Sequence, residues 1–174
     1  MKKIITLLLL FPIIGIFAFA QTATIGSVTA NPGTVVIIPV TLDGLNGANS
    51  PRVFHLNINY DYTQLSSGSI VNFNPLLTYC MDISWYCDQN HVSVVGTGTQ
   101  IVNFPDNTII FEIQSTNTGN ATTLVTWNTT VSKFLNLNGN NINVNWVNGS
   151  ISPNNSINAP ILVSLSNNTT NVTP

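Results

Sequence analysis

Apolar side chains recur at every second position along much of this chain. Val36, Ile38, Val40 and Leu42 alternate with Val35, Ile37, Pro39 and Thr41, and Phe54, Leu56, Ile58 and Tyr60 alternate with Val53, His55, Asn57 and Asn59. A period of two places each set on one face of an extended strand, whereas a helix would repeat near 3.6. The same pattern marks Val92 to Val95, Ile109-Phe111-Ile113 against Ile110-Glu112-Gln114, Leu124 to Trp127, and Ile142-Val144-Trp146 against Asn143-Asn145-Val147. Turn-forming clusters separate these runs: Asn31-Pro32-Gly33, Asn46-Gly47, Pro105-Asp106-Asn107, Asn117-Thr118-Gly119-Asn120 and Asn138-Gly139-Asn140. Short strands between such turns predict an all-β chain folded as an antiparallel β-sandwich, with little or no helix after residue 20. Pro39 has no N–H for a ladder, so its strand is expected at a sheet edge or at a bulge. Trp127 and Trp146 sit in alternating strands and are expected in the core.

The two ends of the chain read differently. Lys2-Lys3, the apolar run Ile4 to Phe17 and the small-x-small triplet Ala18-Phe19-Ala20 have the order of a secretory signal cleaved after Ala20. The run is shorter than the roughly 20 residues that span a bilayer, and no second stretch of that length follows. Residues 1–20 are therefore expected to be removed, leaving a domain over 21–152 with no membrane span. Residues 153–174 are rich in Asn, Ser, Thr and Pro apart from Pro160 to Leu165, the composition of a linker or tail leading on to further sequence.

Charge removes several function classes. With Lys2 and Lys3 gone, Arg52 and Lys133 are the cations left against six acidic side chains. A surface that tracks phosphates needs clustered Lys and Arg, so nucleic acid is excluded as a partner. At 44% hydrophobic and 6% charged, the chain also lacks the composition of a disordered protein. Asp82, Asp88, Asp106 and Glu112 are the carboxylates to weigh for glycoside hydrolysis, which needs two of them facing across a cleft. The three Asp residues lie in turn-like sequence, where backbone capping is their usual work, and Glu112 points outward from its strand. His55 and His91 are too isolated for a His-centred triad, and no calcium or zinc motif is present. The expectation is a non-catalytic chain with neither cofactor nor metal.

Export gives the two cysteines, Cys80 and Cys87, an oxidising compartment, where the pairing of two thiols is favoured. Fully extended, the segment between them would hold their Cα atoms about 25 Å apart, against about 5.5 Å in a disulfide. A Cys80–Cys87 disulfide therefore predicts a closed loop that carries Trp85 and Tyr86, with Tyr79 beside it.

Four stretches, in order, resemble a cohesin-type domain. The first is Ile25-Gly26-Ser27-Val28-Thr29-Ala30-Asn31-Pro32-Gly33-Thr34-Val35-Val36-Ile37-Ile38-Pro39-Val40-Thr41-Leu42, similar to a first strand, Pro-Gly, and an apolar strand ending in Val-Pro-Val. The second is Phe54 to Tyr60 with Asp61-Tyr62 and Leu65, similar to a core strand closing in Tyr-Asp-x-x-x-Leu. Asn107 to Ile113 and Val144 to Ile151, with its Asn148-Gly149, resemble the late strands of the same family. The resemblance covers roughly residues 23–152 and implies a jelly-roll-like sandwich of about nine strands with a binding role and no catalysis. Members that capture dockerins present an Asn and an Asp two apart on the outer face of the Tyr-Asp strand. The matching positions are Val53 and His55, so the resemblance carries over the fold and a binding role rather than those contacts.

Two ligand classes stay open. One is a protein partner, bound through a sheet face around Val53, His55 and Asn57 or along a sheet edge, as in a protein-interaction or adhesion module on a bacterial cell surface. The other is a polysaccharide, stacked on Tyr79, Trp85 and Tyr86 at the stapled loop. A structural subunit of a surface assembly is a third, weaker reading. A row of coplanar exposed rings would favour sugar; a flat sheet face with single aromatics would favour protein.

Overall fold

The computed structural model describes residues 21–66 and 68–154; the expected signal segment and residues 155–174 of the expected tail lie outside the described residues. In chain order the elements are β1 (Gln21–Ile25), β2 (Val28–Ala30), β3 (Val35–Asp43), a 3-10 turn (Gly47–Asn49), β4 (Val53–Tyr60), β5 (Ser69–Val71), α1 (Pro75–Cys80), β6 (Asp82–Cys87) and β7 (His91–Thr97). They continue with β8 (Thr108–Thr116), β9 (Thr123–Trp127), β10 (Lys133–Leu135), β11 (Asn141–Ile142), β12 (Val144–Val147) and β13 (Gly149–Pro153).

One sheet runs β12-β1-β3-β8-β5. In the other, β4 has β7 and then β6 along one edge; along its other edge lie β10 with β11 at its start and β9 with β13 and β2 at its end. Ser132 fills the gap between β10 and β9: its Oγ accepts from the Asn57 N–H at 2.9 Å and donates to the Asn57 carbonyl at 3.1 Å, so the ladder continues through a side chain. The inner faces of both sheets close on one core that includes Phe54, Leu56, Ile58, Phe104, Phe111, Phe134 and Trp127. This is the expected sandwich. More strands are described than the resemblance implies because single runs break, chiefly where the chain passes from one sheet to the other.

That passage happens twice, side by side. β1 gives way to β2 at Gly26–Ser27, and β12 to β13 at Asn148; β12 pairs parallel with β1 and β13 parallel with β2, while the other strand pairs are antiparallel. The two runs touch backbone to backbone: a Cβ on Gly149 would stand 2.3 Å from the Gly26 carbonyl oxygen and 2.7 Å from that of Ile25. Trp127 ties the switch to the core, its Nε1 donating to the Ala23 carbonyl at 3.2 Å and the Val147 carbonyl at 3.0 Å. The expected burial of Trp127 holds, and Trp146, half-buried, packs 4.9 Å from it between ring centroids.

Several expectations need correction. Pro39 is not on an edge strand, since β3 lies between β1 and β8, but the ladder with β8 shifts register between Val40 and Thr41. The Pro39 carbonyl accepts from Gly26 N–H at 2.8 Å, so the amide that proline lacks would face the point where β1 leaves the sheet. The same shift breaks the alternation in β8: Ile110 and Phe111 are both buried and Ile109 is exposed. The expectation of little helix holds: residues 75–80 form one short helix of less than two turns. Asn74 caps it, its side chain accepting from Leu76 N–H at 2.9 Å, Pro75 occupies the first turn, and Leu77 anchors it in the core.

The expected disulfide is absent, and Cys87 is a free thiol. The segment between the cysteines is no closed loop. Cys80 ends α1, and β6 then runs extended to Cys87, paired from Asp82↔Thr97 to Cys87↔Val92. Five steps of strand span about 16 Å, whereas a disulfide holds its Cα atoms about 4.4–6.8 Å apart. Pairing the thiols would require β6 to leave the sheet. Burial pushes the Cys87 thiol above its ordinary pKa and the Asp88 charge adds to this, which keeps it protonated and poorly nucleophilic.

Candidate functional site

The outward face of the second sheet gathers the residues that the sequence singles out on β4. Alternation turns Phe54, Leu56 and Ile58 inward and leaves Val53, His55, Asn57 and Asn59 outward. Antiparallel register then fixes their neighbours. Thr97, Val95, Ser93 and His91 of β7 stand opposite these four in order, and Asp82, Ser84 and Tyr86 of β6 stand opposite Thr97, Val95 and Ser93. On the other side Lys133 of β10 is opposite His55, and Leu135 opposite Val53. The result is a sheet surface four strands wide, largely uncharged, with hydroxyl, amide and imidazole groups spaced by the pleat.

Two imidazoles are held in place on it. His55 Nε2 lies 3.0 Å from Ser93 Oγ across the β4–β7 pair. His91 Nδ1 lies 2.9 Å from Asp88 Oδ2, and its ring stands 5.9 Å from that of Tyr86 at a tilt of 56°. Asp88 closes the β6–β7 turn, its Oδ1 accepting from the N–H groups of Asn90 at 2.7 Å and His91 at 2.8 Å. These backbone bonds, that from Asn90 foremost, together with His91 hold the Asp88 carboxyl below its ordinary range.

The three aromatics expected to form one platform are spread out: Tyr79 stands by Asp82 at the start of β6, and Trp85 and Tyr86, near its end, belong to opposite registers. Tyr79 projects from α1 and is 88% exposed; Tyr86 lies on the outward face and is 59% exposed. Trp85 pairs with the buried Val94 and so belongs to the inward register. It is nevertheless 47% exposed, because β6 has β7 as its only strand partner among the described residues. Adjacent side chains do point to opposite faces, and the sheet edge leaves both in contact with water. Among these three, the only ring contact described is that of Tyr86 with His91.

The carboxylates weighed for catalysis are dispersed. Asp82 and Asp88 lie at opposite ends of β6, Asp106 accepts from Gly44 N–H and Asn46 Nδ2 in a turn, and Glu112 accepts from Asn72 on the outer face of the other sheet. Among the described residues no three His, Cys, Asp or Glu side chains are grouped to hold a metal ion. Sequence reasoning missed Ser93, Val95, Thr97 and Lys133 as members of the face. The first three follow from extending the alternation through β7; Lys133 depends on a pairing between segments far apart in the chain.

The family model for the cohesin domain matches residues 21–152. No curated protein sequence matches the chain. Among solved structures, the third cohesin of ScaC from Acetivibrio cellulolyticus, in complex with the ScaB dockerin, aligns with a TM-score of 0.67 and 18% identity over 76% of this chain and 98% of that one. The cohesin of the Coh-OlpA–Doc918 complex from Clostridium thermocellum aligns at 0.64 with 14% identity, over 77% and 99% of the two chains. A non-cellulosomal cohesin from the archaeon Archaeoglobus fulgidus aligns at 0.63 with 17% identity, over 77% and 91%.

Proposed function

The chain belongs to the cohesin-domain family, and on that premise we propose that it is a non-catalytic binding module, exported and displayed at the cell surface, that captures a protein partner on the outward face of its second sheet. The observation that carries this reading is the geometry of that face: four adjacent strands present a mostly polar, largely uncharged surface on which Tyr86 is the aromatic side chain among His55, Asn57, Ser93 and Lys133. A polysaccharide platform would set its rings in one plane, whereas Trp85 lies in the inward register of β6 and Tyr86 in the outward one, with Tyr79 at the far end of that strand. Dockerins occupy two of the similar cohesins reported above. A partner of that kind would meet Val53 and His55 here in place of an amide and a carboxylate, so its own contact residues must differ to match.

The leader supports export, since Lys2-Lys3, the apolar run and Ala18-Phe19-Ala20 stand directly before Gln21, the first residue of β1. The test is to immobilise residues 21–154, identify the protein retained from the producing cell's envelope, and measure its affinity as a purified pair. His55→Ala and Tyr86→Ala should each weaken that pair about tenfold or more, as expected of residues central to an interface. Retention on a polysaccharide with no protein captured, or a pair indifferent to both substitutions, would overturn the reading.

A further inference from the structure

At one end of the same face, the last turn of α1 and the start of β6 meet the end of β7 around a cleft of about 340 Å³. Its walls are Thr78, Tyr79, Asp82, Thr97 and Thr99, with Gly98 and Met81 completing it. Met81 is buried and supplies an apolar floor. Asp82 and Thr97 are a register pair, and Thr97 is in turn opposite Val53, so the cleft continues the row that crosses β6, β7 and β4.

The chemistry of this cleft is lopsided. Asp82 is exposed and has no cationic partner among the described residues, where the one ion pair described joins His91 to Asp88. Arg52, whose Nε donates to the Gly98 carbonyl at 2.8 Å, makes no ion pair with Asp82 among the described residues. The Tyr79 ring is almost wholly exposed and makes no ring contact among the described residues. Thr97 and Thr99 add hydroxyls and methyl groups at the rim. Among the described residues, no amide, guanidinium or indole side chain lines the cleft to donate hydrogen bonds to sugar hydroxyls. A carboxylate that wants a charge, a ring face that attracts cations, and an apolar floor suit a cationic head on an aliphatic stem.

We propose that this cleft receives an arginine or lysine side chain of the protein partner, with Asp82 pairing its charge and Tyr79 covering it. The inference rests on the protein-partner reading only for the source of that side chain. The excess of acidic over basic residues after removal of the leader gives the surface the sign such a partner would meet.

The cleft is tested without the partner, by titrating isotope-labelled protein with N-acetyl-arginine amide and following backbone amide resonances. Shifts should be confined to Thr78–Asp82 and Thr97–Thr99 and should saturate in the millimolar range, the strength of a single exposed cation site. The neutral isostere N-acetyl-citrulline amide should produce none, and added salt should weaken the response. Asp82→Asn should lower affinity about tenfold, and Tyr79→Ala about two- to fivefold; both positions are exposed, and the dispersion of the spectra reports whether each variant is folded. Absence of shifts at the cleft, equal shifts with citrulline, or an undiminished response in Asp82→Asn would overturn the site while leaving the sheet face untouched. Cellobiose moving the same resonances would overturn it in favour of a sugar. If the arginine probe binds as expected but Asp82→Asn captures the purified partner as well as the parent does, the assignment of the cleft to that partner falls.

Discussion

Replacing Gly149 by alanine puts the packing of the strand switch to a quantitative test. The added Cβ would meet the carbonyl oxygens of Gly26 at 2.3 Å and Ile25 at 2.7 Å. Both are backbone atoms, Ile25 in the paired strand β1 and Gly26 tied by its N–H to the Pro39 carbonyl, so relief requires β13 to move away from β1 by roughly 1 Å, well beyond what a packed interior yields freely. Overpacking of this kind costs about 1–3 kcal/mol. The movement also stretches bonds that bracket the site, Ser150 N–H to Ser27 Oγ at 3.1 Å and Trp127 Nε1 to Val147 O at 3.0 Å, each worth about 1 kcal/mol. Alanine recovers about 0.4–1 kcal/mol by restricting the unfolded chain. The net loss is about 2–3 kcal/mol, a fall in melting temperature of about 6–10 °C for a domain of this size.

Gly119→Ala is the control. Its Cβ would fall even closer to another atom, 1.6 Å from Gln64 Oε1. That atom ends a flexible side chain and, though buried, has no hydrogen-bond partner among the described residues, so it can swing aside with little lost. The cost should stay near 1 kcal/mol or below. Urea unfolding and thermal melts of the two variants decide the matter. A Gly149→Ala protein melting within about 2 °C of the parent, or a Gly119→Ala protein less stable than Gly149→Ala, would refute the reasoning that the identity of the obstructing atom outweighs its distance.

Trp85→Ala should cost about 2 kcal/mol of stability, from roughly 100 Å² of ring area that the fold covers, and should leave partner affinity of the folded fraction within about twofold; the paired urea and affinity measurements check both. With Cys87 unpaired and its thiol pKa raised, protein denatured without reductant should be alkylated at Cys87, and native protein far more slowly; a mass showing Cys87 blocked in the monomer would contradict this. Asp88 has a folded pKa below its ordinary 3.8, so the stability it confers is present above that value and lost as pH falls through the depressed one. The gap in urea midpoint between parent and Asp88→Asn should therefore be open at neutral pH and close at strongly acid pH, and a gap independent of pH would remove Asp88 as its source. Sequencing of the exported protein should begin at Gln21; a mature chain that retains Lys2 and Lys3 would remove the leader.

Much of the sandwich is legible from period two alone, because a strand with one buried face writes its orientation into alternate side chains. β4 is the clearest case, and the outward placement of Val53, His55 and Asn57 follows from it. The bulge between Val40 and Thr41 is not legible: it is a mismatch in length between two distant strands, and it inverts Ile109 without any local mark. β6 is the instructive case. Asp82 and Ser84 alternate with Ile83, Trp85 and Cys87, a strand signal in plain view, but an argument from the redox compartment of two thiols outweighs it in a sequence reading. Backbone pairing with β7 decides otherwise. The cap of α1, Asn74-Pro75, is equally visible in the sequence but brief enough to pass for a turn. The cleft is legible in neither way, since Tyr79 and Asp82 meet Thr97 and Thr99 only through the pairing of β6 with β7.

The side-by-side passage of the first and last strands has a mechanical consequence. β1 and β2 run in the same direction as their partners β12 and β13, so Gln21 and Pro153 leave the sandwich at opposite poles. Tension applied between those residues pulls the two runs past one another along their length, and loads the hydrogen bonds of both pairs in shear together rather than opening them one at a time. Gly149 seated against Gly26 and the Trp127 indole bridging Ala23 to Val147 stand across that sliding plane. The switch therefore resists sliding along its length, and the face proposed for binding lies on the sheet that β13 and β2 complete.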